Sequence, residues 1–354
     1  MIFRQLFDAV SSTYTYLIGS HRGGGAILID PVLERTDQYL KLLDELGLRL
    51  LKAADTHLHA DHITALGALR DKTRCVTVMG EQSSADTVSV RVADGDVIDV
   101  DGISLTALYT PGHTDDSYCY LMQDRVFTGD TLLIRGTGRT DFQNGDAGQA
   151  YDSLVGKLLT LPDAMFVYPG HDYNGNTVST IGEEKACNPR LQVKDRAGYI
   201  ALMNSLHLAE PKKMSVAVPA NQRIGLSQQR LEQEGRAISP QALMQMSESE
   251  RRSVLLVDLR DSQERTRHGI IADSLCLPYP ELSASLARDG LLAALQRDTG
   301  RQIVFYCAFG ERSAMAVRIA EEAGILGVRH LSGGIAAWHQ AGGKLVAADQ
   351  AGAC

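Results

Sequence analysis

A run of seven residues, 56–62, constrains this chain more than any other part of its sequence. The run is Thr56-His57-Leu58-His59-Ala60-Asp61-His62, and it places three histidines and one aspartate within six positions, directly after an apolar segment. Imidazole nitrogens and carboxylate oxygens are common metal ligands, so such a cluster is typical of a metal centre. The sequence therefore predicts a metal site that is built where a strand ends.

Three later residues, His113, Asp130 and His171, repeat the same residue types. Each follows an apolar run, and the residue before each is a glycine. This pattern is typical of a tight turn after a strand, and ligands from several strand ends can converge on one point. Five of the ten histidines fall into the combined pattern, so separate structural roles for all of them are the weaker interpretation.

The first 170 residues alternate short apolar runs with turn signals, which indicates many strands and few helices. The predicted strands are 13–18, 26–29, 76–79, 103–109, 118–122 and 126–128, and the predicted helices are 36–46, 63–69 and 148–161. Segment 211–226 has no clear period and is interpreted as a closing strand and a tail. The pattern favours an α/β sandwich over a doubly wound sheet.

A polar stretch, 227–235, precedes a second pattern of elements, and we place the domain boundary near residues 230–237. Val254–Val257 and Ile303–Tyr306 are continuous apolar runs, as expected of buried parallel strands. Helices are predicted at 281–296, 313–323 and 334–340. The predicted domains are residues 1–232 and 238–347.

Cys307 has a setting of its own. It follows the apolar run 303–306 and precedes a loop in which Gly310 permits a tight turn and Arg312 adds positive charge. A thiol between a strand end and a helix N-terminus faces backbone N–H groups, which favour the thiolate. Such a loop could hold a persulfide or the oxyanion of thiosulfate or sulfite. The other five cysteines (75, 119, 187, 276 and 354) lack this setting and are interpreted as inert thiols.

Composition excludes some classes of partner. The net charge of -8 argues against nucleic acid, because binding phosphates requires a basic surface. No apolar run approaches the roughly 20 residues that a membrane-spanning helix needs. The first residues lack the features of a signal peptide, so we expect a cytoplasmic protein that does not bind membranes. The sequence leaves the oligomeric state open, a homo-oligomer included.

The histidine and aspartate motifs of residues 1–230 resemble the metallo-β-lactamase superfamily. This resemblance implies an αββα sandwich with the metal site at one edge of its two sheets. All residues of a two-metal site are present: His57, His59, His113 and Asp130 for one ion, and Asp61, His62, His171 and the shared Asp130 for a second. A dizinc hydrolase of glutathione thioesters, similar to glyoxalase II, is therefore the alternative interpretation.

Three segments, 130–143, 188–191 and 217–223, look instead like persulfide dioxygenases, which oxidise glutathione persulfide with O₂ to sulfite and glutathione. That resemblance implies one Fe(II) per chain, held by His57, His113 and Asp130 as a facial triad with open positions. The remaining residues would then orient the ligands: His59, Asp61, His62 and His171. One departure is Thr137, which stands where relatives often carry a cysteine.

The glutathione moiety needs a cationic anchor for its glycine carboxylate. Arg139 suits this role, because a guanidinium binds a carboxylate through two hydrogen bonds. Tyr173 resembles a tyrosine that contacts glutathione in glyoxalase II and its relatives, and Arg223 is a weaker candidate. We therefore predict these three side chains at the substrate site.

Residues 238–347 resemble rhodaneses through the Cys307 loop and three supporting segments, 257–264, 268–272 and 331–338. The resemblance implies a sulfurtransferase in which Cys307 carries sulfur as a persulfide, with Arg312 beside it. Thiosulfate or sulfite and glutathione would be its partners, in either net direction. A module that stores sulfur or docks partners without turnover is the alternative, which the intact Cys307 and Arg312 disfavour.

Overall fold

A computed structural model describes residues 1–85, 88–206, 213–223 and 228–348. The chain divides into two compact units, and each is described by itself. The first comprises Met1–Asp86 and Val90–Ile224, and the second comprises Thr87–Ser89 and Gly225–Cys354. The predicted domain bounds, 1–232 and 238–347, stay a prediction.

The first unit contains two six-stranded sheets. The strands of the first sheet, in spatial order, are β1 (Ile2–Asp8), β2 (Thr13–Gly19), β3 (Gly25–Ile29), β4 (Arg49–Ala54), β5 (Val76–Gly80) and β6 (Val90–Val92). β1, β2 and β3 are antiparallel, whereas β3 to β6 run parallel to one another. The parallel half has the buried, apolar strands expected when both faces are covered.

The second sheet is mostly antiparallel. Its strands, in spatial order, are β12 (Ser179–Thr180), β11 (Phe166–Pro169), β10 (Arg125–Gly129), β9 (Tyr118–Leu121), β8 (Ile103–Tyr109) and β7 (Val97–Val100). Only β10 and β11 pair in parallel. Along β8, Ile103, Leu105 and Ala107 are buried while Ser104 is exposed, as the two-residue period of a strand requires.

The two sheets pack face to face through one apolar core. Ile18 and Ile29 of the first sheet share this core with Leu105, Tyr120 and Phe127 of the second. The helices of this unit are α1 (Thr36–Leu46), α2 (Leu66–Thr73), α3 (Ala147–Gly156), α4 (Ile181–Cys187), α5 (Arg196–Asn204) and α6 (Met214–Asn221), with short 3-10 turns at Leu33–Arg35 and Leu158–Thr160. α1 and α2 contact β4, whereas α3 to α5 cover the outer face of the second sheet. This is the predicted αββα sandwich.

Three predictions for this unit differ from the structure. The helix predicted over 148–161 ends at Gly156 and is followed by a 3-10 turn at Leu158–Thr160, and the helix predicted over 63–69 begins at Leu66.

Segment 211–226 contains helix α6 rather than a closing strand, and residues 211, 212 and 224–226 lie outside the described part of the chain. The apolar residues of α6 do not recur with a helical period. The buried residues of this helix are Ala217 and the polar Asn221. Pro219 also weakens the helical signal of the sequence.

The second unit is built on a five-stranded, all-parallel sheet. Its strands are β13 (Ala237–Ile238), β14 (Val254–Asp258), β15 (Leu275–Cys276), β16 (Gln302–Tyr306) and β17 (Arg329–Leu331), in the spatial order β13-β17-β16-β14-β15. β14 and β16 lie side by side at the centre, and their residues are almost all buried, as predicted.

Helices cover both faces of this sheet. They are α7 (Gln228–Gln233), α8 (Pro240–Met244), α9 (Glu248–Arg252), α10 (Ser262–His268), α11 (Leu282–Leu286), α12 (Leu291–Thr299), α13 (Glu311–Glu322) and α14 (Gly334–Gln340), with a 3-10 turn at Tyr279–Glu281. One face packs on α11 to α13, and Trp338 of α14 anchors the other. The single helix predicted over 281–296 is wrong, since Gly290 separates α11 from α12.

In the described part of the chain, no helix combines the length and apolar character that crossing a bilayer requires.

Candidate functional site

The motif residues of the first unit all follow the carboxyl ends of strands. β4 leads into the loop 55–62, which carries His57, His59, Asp61 and His62. His113 follows β8, Asp130 follows β10 directly, and His171 follows β11. The two central sheets therefore deliver every residue of the predicted metal site to one edge of the sandwich.

His57, His113 and Asp130 form one compact group among these residues. Each offers one ligand atom, and these atoms all lie within 4.8 Å of one another. The Nε2 atom of His113 is 3.5 Å from Oδ2 of Asp130. Its Nδ1 lies 2.7 Å from the carbonyl oxygen of Arg139, and Nδ1 of His57 lies 3.0 Å from Oγ1 of Thr56. Hydrogen bonds at Nδ1 orient both rings and leave Nε2 available to a metal.

The electrostatics of the site favour the protonation states of His57 and Asp130 that a metal needs. Burial, together with the adjacent His59 and His113, lowers the pKa of His57 well below its usual range. Burial alone would raise the pKa of Asp130, but the imidazoles of His171 and His113 outweigh it and hold that pKa well below normal. Neutral imidazoles and an ionised carboxylate are the forms that bind metal ions.

His171 and Asp61 lie beside the triad and hold Asp130 in place. Nδ1 of His171 is 2.6 Å from Oδ1 of Asp130, and Nε2 of His171 is 2.9 Å from Oδ2 of Asp61. The ring therefore bridges two carboxylates. Oδ2 of Asp61 also lies 2.9 Å from Nδ1 of His62. Oδ1 of Asp130 thus contacts His171, whereas Oδ2 lies on the side of His113.

The loop 55–62 is held by two residues whose roles the sequence did not reveal. Asp30, just after β3, accepts a hydrogen bond from the backbone N–H of Thr56 and lies 3.2 Å from Nε2 of His59. Burial alone would lower the pKa of His59, but the Asp30 carboxylate raises it to about 9. Asn221, at the end of α6, donates hydrogen bonds to the carbonyl oxygens of His59 and His62.

The residues at this edge fit a bound metal ion. Besides the triad, Nδ1 of His59 and Nε2 of His62 are buried and have no hydrogen-bond partner among the described residues. Buried polar atoms left without a partner are rare and costly unless an ion or water completes them. The chain thus has a metal site made of histidine and aspartate groups: the triad, and beside it His59, Asp61 and His62, whose ligand atoms also lie within 4.8 Å of one another.

A cleft of about 840 Å³ opens onto the triad. Arg139 and Tyr173, both predicted to bind glutathione, are among its lining residues, whereas Arg223 is exposed and is not. The guanidinium of Arg139 pairs with Asp141 at 2.7 Å and covers the ring of Phe142. Tyr173 is 72% exposed and stacks on His171.

Arg190 also lines the cleft; it belongs to segment 188–191, noted for its resemblance, but no role was predicted for this residue. One guanidinium nitrogen donates a hydrogen bond to the carbonyl oxygen of Thr137, and no described carboxylate pairs with it. Burial lowers the pKa of Arg190, because its charge is only weakly compensated.

Cys307 of the second unit lies between β16 and α13, as the sequence predicted, and it is fully buried. Its sulfur accepts a hydrogen bond from the backbone N–H of Gly310 at 3.2 Å. Gly310 has a φ of 90°, which favours glycine at this turn. Backbone N–H groups at the start of α14 donate to the carbonyl oxygens of Cys307 and Ala308, so the loop is held from both sides.

The guanidinium of Arg312 forms an ion pair with Glu264. Its two terminal nitrogens donate hydrogen bonds of 2.8 and 2.6 Å to the two carboxylate oxygens of Glu264. Burial alone would lower the pKa of Arg312, but this carboxylate raises it above its usual range. The guanidinium is therefore a fixed positive charge at the start of α13.

Comparisons with known proteins agree with this geometry. A family model of the metallo-β-lactamase superfamily matches residues 9–171, and a model of the rhodanese-like domain matches residues 239–341. The human mitochondrial persulfide dioxygenase ETHE1 is 44% identical over 229 residues, which are 64% of this chain and 89% of the human protein. The crystal structure of ETHE1 from Myxococcus xanthus is 56% identical, with a TM-score of 0.62, covering 63% of this chain and 98% of that one.

A hydroxyacylglutathione hydrolase of Rhodopseudomonas palustris is 34% identical over 194 residues, which are 54% of this chain and 74% of the hydrolase. Fold and site thus define a protein of the metallo-β-lactamase type, with its metal ligands at one edge of an αββα sandwich. Within that class, the chain belongs to the persulfide dioxygenase family and carries a rhodanese-like domain. The predicted family and enzyme class are confirmed.

Gly138 provides a test of how closely the cleft wall supports the triad. Its N–H donates to the carbonyl oxygen of Asp130 at 2.7 Å, and a Cβ atom here would overlap that oxygen and lie 2.8 Å from Nδ1 of His113. We expect Gly138→Ala to weaken metal binding about tenfold or more, because residues that orient ligands have effects of this size. Metal content after anaerobic reconstitution at limiting metal measures it.

Gly136→Ala is the matched control, since a Cβ atom there would meet only Leu133, at an ordinary 3.8 Å. It should bind metal as the wild type does. Unchanged metal affinity in the Gly138→Ala variant would show that this loop does not support the ligands.

Proposed function

We propose that this chain oxidises glutathione persulfide with O₂ and water, giving sulfite and glutathione, at one Fe(II) held by His57, His113 and Asp130. The observation that carries the proposal is the convergence of two imidazoles and one carboxylate within 4.8 Å, in a chain of the persulfide dioxygenase family. When bound, ferrous iron supplies the electrons that O₂ chemistry requires, which redox-inactive Zn²⁺ cannot, and a facial triad leaves coordination positions open.

The residues around the triad have positioning roles in this proposal. His171 holds one oxygen of Asp130 at 2.6 Å, so that the other oxygen is directed at the metal position. The Arg139 carbonyl fixes the ring of His113 in the same way. Asp30 and Asn221 fix the loop that carries His57. These contacts use Oδ1 of Asp130 and Nδ1 of His113, so Oδ2 of Asp130 and Nε2 of His113 are left for the metal.

The cleft supplies the groups that glutathione requires. Glutathione is anionic, and Arg190 is the half-buried cation of the cleft wall without a carboxylate partner among the described residues. We assign it the substrate carboxylate, together with Arg139, whose charge is shared with Asp141. The Tyr173 ring, stacked on His171, would contact the peptide part of the substrate near the metal.

The rhodanese-like domain would exchange sulfur through Cys307. The thiolate attacks the outer sulfur of thiosulfate, the S–S bond breaks, and sulfite leaves with the bonding electron pair. Glutathione then attacks the outer sulfur of the Cys307 persulfide, which yields glutathione persulfide and restores the thiolate. The N–H of Gly310 donates to the Cys307 sulfur, and Arg312, paired with Glu264, is a fixed positive charge at the start of α13. The product of this exchange is the substrate of the proposed dioxygenase.

A dizinc thioester hydrolase is the second candidate function. The chain has all residues of a two-metal site, and a hydroxyacylglutathione hydrolase is 34% identical to it. In that enzyme class, two ions about 3.5–4 Å apart activate water. The engagement of both ring nitrogens of His171 with carboxylates favours the single-ion alternative.

Metal analysis and oxygen uptake separate these two functions. Protein purified without oxygen should contain about one iron per chain, as a facial triad binds a single ion. In an oxygen electrode it should consume O₂ when glutathione persulfide is added and form sulfite. Paired zinc, with cleavage of S-lactoylglutathione and no oxygen uptake, would establish the hydrolase instead.

Arg190→Ala tests substrate recognition. We expect the KM for glutathione persulfide to rise about tenfold, with a small change in kcat, because a hydrogen bond to a charged group contributes roughly 1.5–3 kcal/mol. Steady-state oxygen uptake measures both constants. Arg223→Ala, an exposed arginine that does not line the cleft, is the control and should keep the wild-type KM. An unchanged KM in Arg190→Ala would exclude it from the substrate site.

Cys307→Ser tests the sulfur carrier. A serine hydroxyl cannot form a persulfide, so transfer from thiosulfate to glutathione should be abolished. Oxygen uptake with added glutathione persulfide should continue, because the proposed iron ligands are in the first unit. Ser313→Ala is the comparison variant, because it removes a hydroxyl 3.8 Å from the Cys307 sulfur and keeps the thiol itself. Substantial transfer activity in Cys307→Ser would contradict the role of Cys307.

A further inference from the structure

Thr13 is a buried residue that neither the motifs nor the proposed chemistry accounts for. It is the first residue of β2 and has no exposed surface. Its backbone forms a bridge with His171, and the N–H of Tyr14 donates to the carbonyl oxygen of Gly170 at 2.8 Å. The backbone therefore fixes the side chain of Thr13 against the turn that carries His171.

The Thr13 hydroxyl lies among three side chains that would bind a second metal ion. Its Oγ1 atom is 3.0 Å from Nε2 of His171, 3.1 Å from Oδ2 of Asp61 and 3.4 Å from Nδ1 of His62. In a two-metal centre of this fold, these three residues and Asp130 hold the second ion. The hydroxyl is thus at the centre of that ligand set.

The distances between these side chains are those of hydrogen bonds. Oδ2 of Asp61 lies 2.9 Å from both Nε2 of His171 and Nδ1 of His62. Ligand atoms of a tetrahedral ion with bonds of about 2.1 Å lie roughly 3.4 Å apart. An N···O distance of about 2.9 Å is the preferred length of a direct hydrogen bond. The three side chains are therefore hydrogen-bonded to each other and to the Thr13 hydroxyl, at the position where a second ion would bind.

Two further contacts hold this arrangement. Oδ1 of Asp130, which a bridging carboxylate would offer to the second ion, is 2.6 Å from Nδ1 of His171. On the other side, Oγ1 of Thr13 is 2.8 Å from Oγ of Ser11, which donates to Asp8, and Asp8 pairs with Arg35. A hydroxyl has one proton and two lone pairs, so the Thr13 proton goes to either Asp61 or Ser11 while the lone pairs face His171 and His62.

We propose that the Thr13 hydroxyl takes the place of a second metal ion and thereby keeps this centre mononuclear. The proposal rests on the proposed function, since a single ion with open positions is what the dioxygenase needs. It explains how the chain can have every ligand residue of a two-metal site and yet bind a single ion. Thr13 is a positioning residue in this account, because it acts through Asp61, His62 and His171.

Thr13→Ala tests this directly, with Thr13→Ser as the matched control that keeps the hydroxyl. Metal-free protein is titrated anaerobically with Mn²⁺, and bound metal is counted by mass spectrometry while electron paramagnetic resonance reports whether ions are paired. The wild type and Thr13→Ser should saturate at about one equivalent with an isolated-ion spectrum. Thr13→Ala should approach about two equivalents with a spin-coupled spectrum, as expected of ions about 3.5–4 Å apart.

Each other outcome has a definite meaning. A folded Thr13→Ala that still binds one isolated ion overturns the role of Thr13 and leaves the mononuclear dioxygenase standing. A wild type that binds a coupled pair overturns both proposals. Should Thr13→Ala not fold, Thr13→Cys replaces it, because a thiolate at this position is itself a metal ligand and should recruit the second ion. A single isolated ion in Thr13→Cys would likewise overturn the role of Thr13.

Discussion

The carboxylate of Asp130 is the group on which the architecture of the metal site depends. It follows β10 in the middle of the second sheet, and its two oxygens face different partners. Oδ1 is 2.6 Å from His171, and Oδ2 is 3.5 Å from His113. A buried carboxylate is costly unless cations or hydrogen-bond donors compensate it, and here imidazoles on both sides do so. The strands that carry Asp130, His113 and His171 must therefore end at the same edge, which fixes how the sheet is aligned.

The surrounding residues shift the pKa values of the site's carboxylates and imidazoles. Asp130 and Asp61 are both held well below their usual pKa by neighbouring imidazoles, despite burial, which opposes this effect. His57, in contrast, is kept neutral by burial. The site thus separates into a part that is ready to bind an ion and a part in which His171 bridges Asp130 and Asp61. Residues of identical type acquire different functions because their hydrogen-bond partners differ.

The sequence predicted the fold class, the family and the residues that meet at the metal site. Those predictions rest on local signals: apolar runs, glycines at strand ends, and the dense motif 56–62. The sequence did not reveal Thr13, Asp30 or Asn221 as parts of the site, because their roles arise from contacts across more than 25 positions of the chain. Arg190 was missed for a similar reason, since an unpaired arginine is recognisable only when its neighbours are known. The helices at 214–221 and 282–299 were misjudged where Pro219 and Gly290 disturb the apolar period.

One αββα scaffold serves both thioester hydrolases and persulfide dioxygenases, so the chemistry cannot follow from the fold or from the ligand motif alone. In this chain, the ligand residues would permit either reaction, and what distinguishes them is how the second half of the ligand set is used. In our proposal, a threonine hydroxyl and a histidine with both nitrogens engaged occupy that half in place of an ion. Nuclearity would then depend on a residue at the start of β2, far in sequence from the motif. Metallo-β-lactamase folds with complete two-metal motifs should therefore be assigned a nuclearity only after the partners of each ligand have been examined.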